Sequence, residues 1–143
     1  MKTLKSILFG IAMLAVCTVA NAKSKVSDKP ALTESYVIST YVGAVTEGNL
    51  KDFERILGDA VTFNSVQGTE VKAFDKDAVL ANLKNNEGVK QECTTSSTKV
   101  KETPDGTTYE VDMKYADHTR VDMVTIVEGS IGWKISDVTT SYK

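Results

Sequence analysis

The chain has 143 residues, with 17 lysines and arginines against 19 aspartates and glutamates, a formal net charge of −2. That balance, with no basic block anywhere, excludes nucleic acid and anionic membrane surfaces as partners. A chain of this size buries enough of its unfolded surface to hold one core without a metal or a disulfide.

Residues 1–22 are expected to be a secretory signal peptide. Lys2 and Lys5 give the positive end, Ile7 to Ala20 the apolar stretch, and Ala20-Asn21-Ala22 a small-x-small cleavage site. The apolar run of about 14 residues is short of the ~20 that a membrane-spanning helix needs, so no stable membrane insertion is expected after cleavage. The protein is therefore expected in the periplasm or outside the cell. Lipid anchoring at Cys17 is the alternative, but Val16 stands before it where such sites want a small residue. Removing two lysines with the leader leaves 15 basic and 19 acidic residues, a net charge of −4. Cys93 is then the one cysteine, so no intramolecular disulfide can form. One histidine and one cysteine cannot build a zinc site, and Asp75 and Asp77 lack the further oxygen ligands of a calcium loop. No metal and no cofactor is expected.

Residues 23–32 are polar, carry Pro30 and read as a flexible lead-in to a domain over 33–143. Thr33 is a helix N-cap with Glu34 in the first turn. Val37, Ile38, Tyr41, Val42 and Val45 recur on one helical face, and Gly48 supplies the stop. Asn49 caps a second, shorter helix with Leu50, Phe53, Ile56 and Leu57 on its apolar side. Strands follow at Ala60–Val66 and Thr69–Phe74, joined by Gln67-Gly68. Asp75 then caps a third helix that buries Ala78, Val79, Leu80 and Leu83.

From Val89 onward the chain reads as four strands, near 89–102, 107–116, 119–128 and 131–142. Their turns fall at Pro104-Asp105-Gly106, Asp117-His118 and Gly129-Ser130. Tyr109, Val111, Met113 and Tyr115 alternate with Glu110, Asp112 and Lys114, as in a strand with one buried face. The strand 119–128 is apolar on both sides: Val121, Met123 and Val127 on one, Val124 and Ile126 on the other. The order predicts an α+β fold, three N-terminal helices packed on a curved mixed or antiparallel sheet of about six strands.

The segment Tyr41-Val42-Gly43-Ala44-Val45-Thr46-Glu47-Gly48-Asn49-Leu50, running into Phe53, Leu57, Asp59 and Ala60-Val61-Thr62-Phe63, resembles the opening of the nuclear transport factor two-like superfamily. This cystatin-like cone is shared with ketosteroid isomerases and polyketide cyclases. Among its secreted bacterial members, the chain is most similar to groups labelled lumazine-binding-like. The resemblance implies a pocket between sheet and helices. In the steroid isomerases that pocket holds a carboxylate base near the end of the first strand and a pair of hydrogen-bonding acids opposite. Aligning Asp59-Ala60 with the family's strand entry sets Asn64 at the base position, and an amide accepts no proton at neutral pH. Tyr41 falls near the family's tyrosine. The second donor falls near Met123, which has no proton to give, and alternation turns Asp122 to the other face. No catalytic residue is assigned.

The ligand-binding residues expected from this reading are Tyr41, Phe63, Asn64, Met113, Tyr115, Trp133 and Asp137, with Tyr36, Phe53 and Phe74 as further aromatics. Asp137 shares parity with Ile131, Trp133 and Ile135, so in a regular strand it faces the same side as Trp133. Cys93 has no base near it in sequence, and His118 sits in a turn beside Asp117. The leading expectation is a non-catalytic module that binds a small apolar or aromatic molecule. One alternative is a homodimer or docking module using Val124 and Ile126 on the outer sheet face; another is an enzyme using Asp137.

Overall fold

The computed structural model describes residues 29–143, so the expected signal peptide, Cys17 and most of the lead-in lie outside the described residues. The first helix, α1, spans Glu34–Glu47. Thr33 begins it, its hydroxyl accepting from the Tyr36 amide at 3.1 Å, and Gly48 ends it in the left-handed region at φ 63°. A Cβ on Gly48 would lie 2.4 Å from the Gly88 nitrogen, so the helix end and the later loop approach as closely as glycine permits. That loop is tied to α1 by backbone bonds from Gly88 to Gly48 and from Gln91 to Thr46.

The expected second helix is instead a turn followed by one 3₁₀ turn, Glu54–Ile56. Asp52 interrupts it with φ 62°, held by a 2.7 Å bond from the Tyr36 hydroxyl. The Asn49 side chain accepts from the Lys51 amide in a local turn rather than capping a helix. Phe53, Ile56 and Leu57 are buried all the same, so the apolar pattern reported burial correctly and backbone form incorrectly.

Six strands follow: β1 Leu57–Gln67, β2 Glu70–Phe74, β3 Thr94–Thr103, β4 Gly106–Lys114, β5 Thr119–Gly129 and β6 Gly132–Tyr142. They form one sheet in the order β2-β1-β6-β5-β4-β3. Only β1 and β6 run parallel, so the sheet is mixed. Between β2 and β3 lies α2, Lys76–Asn85, capped by Asp75, whose carboxylate accepts from the Ala78 amide at 2.7 Å. The fold is α+β, with two α-helices among the described residues. Val79, Leu80 and Leu83 of α2 are half-buried and Ala78 is exposed, so this helix leans on the sheet edge rather than sealing it.

The core lies between α1 and one face of the sheet. Val37, Ile38, Tyr41 and Ala44 meet Val111, Met113, Val124, Ile126, Ile135 and Val138 there. The domain begins ahead of α1, because Leu32 is buried and bridges to Gly132 in parallel.

The facing of β5 and a bulge on β6 decide which side chains point inward. On β5 the inward residues are Asp122, Val124 and Ile126, all fully buried, while Val127 on the other side is 38% exposed. The expectation that Val124 and Ile126 project outward is therefore corrected, as is the outward placement of Asp122. On β6, Asp137 pairs with Thr125 and Ile135 with Ile126, leaving Ser136 as an extra, bulged residue. The bulge inverts the parity beyond it, so Ile135 and Val138 are both buried three positions apart. Among the described residues, no helix is long and apolar enough to cross a membrane.

Candidate functional site: an aromatic cleft with a buried ion pair

A cleft of about 520 Å³ opens between α1, the inner face of the sheet and the β2–α2 segment. Tyr41 and Val45 of α1 and Phe53 form one side, Phe63 and Ser65 of β1 the floor. Phe74, Val79 and Leu83 bring in the β2–α2 wall, and Arg120, Val138, Thr140 and Tyr142 close the remaining side. The volume and the largely apolar walls suit a small-molecule site.

Its polar pole is built on Asp122. Arg120 Nε donates to Asp122 Oδ1 at 3.0 Å and Nη2 to Oδ2 at 2.9 Å. The Tyr41 hydroxyl donates to Oδ2 at 2.6 Å, and the Thr140 hydroxyl to Oδ1 at 2.7 Å. This fully buried carboxylate accepts four hydrogen bonds, two on each oxygen, so its charge is met within the fold. Burial, and after it the Asp122 charge, push the Tyr41 phenol well above its ordinary value, so it stays protonated. Burial also works against the Arg120 charge, but Asp122 and the Tyr41 contact outweigh it, and the guanidinium is held above its ordinary value.

The resemblance placed Met123 as the second donor and turned Asp122 away. The structure puts Asp122 beside Tyr41, but as an acceptor that already takes the tyrosine proton's hydrogen bond. The pair therefore has no free proton for an oxyanion.

The residues expected at the site are dispersed. Tyr41, Phe63 and Asn64 border this cleft. The Asn64 amide, though, donates to Asp137 Oδ1 at 3.2 Å. Met113 is fully buried in the core between α1 and β4. Tyr115 donates to the Gln91 side chain and stacks on His118, with ring centroids 4.6 Å apart. Trp133 packs half-buried against the core near Leu32, whose carbonyl accepts from its amide. Asp137 does not share the side of Ile135: it bonds Thr62, Asn64 and Thr139. The Ser136 bulge is the cause. Arg120, Thr140 and Tyr142 were not anticipated. The signal for the first was an Arg-x-Asp pair, same-face by alternation, inside an apolar strand.

A second, more polar cleft of about 480 Å³ lies between α1 and β3, with Ser39, Thr46, Lys90, Cys93 and Ser97 on its walls. Among the described residues no group of three or more His, Cys, Asp or Glu side chains is placed to hold a metal ion.

Residues 29–143 match the model of the family described as "Putative lumazine-binding". No curated protein matches the chain. Among solved structures, it is similar to a nuclear transport factor 2-like protein of unknown function from Silicibacter pomeroyi, with a TM-score of 0.63 and 19% identity over 76% of this chain and 92% of that one. A protein of the same type from Shewanella baltica gives a TM-score of 0.63 at 9% identity, covering 76% and 90%. One from Cytophaga hutchinsonii gives 0.60 at 13%, covering 75% and 93%. At these identities the structures speak for the fold alone. The family match spans all of the described residues, so the chain belongs to the family described as "Putative lumazine-binding", and its fold is that of nuclear transport factor 2-like proteins.

Proposed function

We propose that this is an exported module that holds a small planar aromatic molecule in the cleft beside Tyr41 and Arg120, without transforming it. The observation that carries the reading is the cleft itself: about 520 Å³, walled by Phe53, Phe63, Phe74 and Tyr142, with one polar pole. Lumazine, the ligand class in the family's description, has the size and flatness such walls accept. Binding without catalysis is supported by the site's chemistry. Asn64 cannot take a proton, and the Asp122 carboxylate is fully committed to its four donors. Export is supported by the Lys2/Lys5, apolar run and Ala20-Asn21-Ala22 pattern.

The test is to express the full chain, purify it from the periplasm and record a native mass spectrum. A polypeptide mass starting at Lys23, carrying a few hundred daltons of released small molecule, is expected. An empty cleft in protein taken straight from the cell would argue against the binding reading. An intact leader in a cytoplasmic product would argue against export.

A second reading, a homodimer, now rests on a different surface from Val124 and Ile126. Every residue of β3 is exposed, and its outer edge has no neighbour in the sheet. Sedimentation of a monomer at all concentrations would remove it.

A further inference from the structure

We propose that Arg120 selects the ligand, and that the occupant of the cleft is an aromatic monocarboxylate. The inference rests on the cleft being the binding site. A buried ion pair is weak evidence of stabilisation, because apolar side chains of similar volume usually serve the fold as well or better. Arg120 and Asp122 therefore need another reason to stand in an aromatic cleft, and the way the guanidinium is used supplies one. Arginine carries five N–H groups in a rigid plane. Asp122 takes the side formed by Nε and Nη2. Among the described residues, no carboxylate meets the opposite end, formed by Nη1 and the second Nη2 hydrogen. The side chain is 25% exposed, and the residue lines the cleft. A fork of two parallel N–H groups that no carboxylate of the described residues engages thus belongs to a residue on the wall of an aromatic chamber. Its spacing matches the two oxygens of a carboxylate.

Charge narrows the class further. Among the described residues, Arg120 is the one charged residue on the cleft wall, and its positive charge is already balanced by Asp122. A monoanion leaves one net negative charge at the pole, tempered by the Tyr41 and Thr140 hydroxyls that draw on Asp122 from its other sides. A dianionic phosphate would leave two, with no further cation on the wall to meet them. A neutral ring carbonyl would use half of the fork. The ring of the ligand then lies between Phe63 and Phe74, with Tyr142 at the mouth, where aromatic contact adds to area burial.

The experiment is isothermal titration of the mature protein, residues 23–143, with 2-naphthoate and with its neutral isostere 2-naphthamide. The carboxylate is expected to bind at least about tenfold more tightly, the size of a hydrogen-bonded charge contact. In Arg120→Met/Asp122→Asn, which removes both charges together, that preference is expected to fall to near unity. Equal affinities in the unaltered protein would overturn the proposal and leave Arg120 as the counter-ion of Asp122, with the binding reading intact. Persistence of the tenfold preference in the folded double variant would overturn it too. Binding of neither compound by folded protein would remove the proposal and the binding reading together. The comparison in the unaltered protein decides the question even if the double variant does not fold.

Discussion

Removing Arg120 alone strands the Asp122 carboxylate at a fully buried position with only Tyr41 and Thr140 to meet it. Arg120→Leu is expected to lower unfolding free energy by about 3–5 kcal/mol in urea titrations. Arg120→Leu/Asp122→Leu, which removes the charge as well as its partner, is expected to regain most of that loss. Tyr41→Phe deletes one of the four bonds on Asp122 and is expected to cost about 1–2 kcal/mol in the same measurement. At this scale the sequence was half legible. Tyr41 and Phe63 announce themselves as aromatics on amphipathic elements, and both border the cleft. Arg120 does not, because a strand with apolar residues on both sides gives no sign of which face is inward. Val121 and Met123 compete with Val124 and Ile126, and tertiary packing, not periodicity, settles the contest.

Elements were legible where capping chemistry is local. Thr33 and Gly48 bound α1 as their side chain and backbone preferences require, and Asp75 starts α2. They were illegible where one backbone angle overrides a pattern: Asp52 breaks the turn before Glu54, and the Ser136 bulge swings Asp137 off the side of Ile135. Neither leaves a mark in hydrophobic spacing. Two consequences are measurable. Gly48→Ala forces a Cβ against the Gly88 backbone in the left-handed region and is expected to destabilise the domain by more than ~2 kcal/mol. The second concerns Glu34, which anchors α1 to the meander by accepting from Tyr109 at 2.7 Å and pairing with Lys99 at 2.9 Å. The Tyr109 bond first, and then Lys99, hold its carboxyl below the ordinary range. Because the folded-state value is the lower one, the stabilisation is present above the ordinary carboxylate range, near pH 4.5, and fades as pH drops through the folded value. Glu34→Gln is expected to remove well under ~1 kcal/mol at neutral pH, given its partial exposure, and to flatten the acid side of the stability–pH curve. Thermal melts across pH 3 to 7 with about equal buffer strength read both effects.

Over the whole molecule, order is unevenly distributed. β4, β5 and β6 hold the buried core, whereas β2 is exposed throughout and α2 has no buried residue. Phe74, on the cleft wall, is itself 39% exposed. Amide exchange is therefore expected to be faster over 70–85 than over 106–142, and a bound aromatic molecule is expected to slow the former selectively. Unchanged exchange in that wall at saturating ligand would place the binding site elsewhere. The general architecture was readable from element order, since helices ahead of a run of antiparallel strands leave few arrangements. The placement of β6 was not, because nothing in a strand's own residues names a parallel partner some seventy positions away.

That placement has a consequence for how the chain is made. β6 stands between β1 and β5, so the first and the later strands share no hydrogen bond except through it. A ribosome-bound chain halted before Gly132 holds a hairpin of β1 and β2 and a separate meander of β3, β4 and β5, with no common sheet. Synthesis thus delivers the keystone last, and until it arrives the polypeptide remains threadable. A nascent-chain series should turn protease-resistant in one step, when the β6 residues clear the exit tunnel, rather than gaining resistance strand by strand.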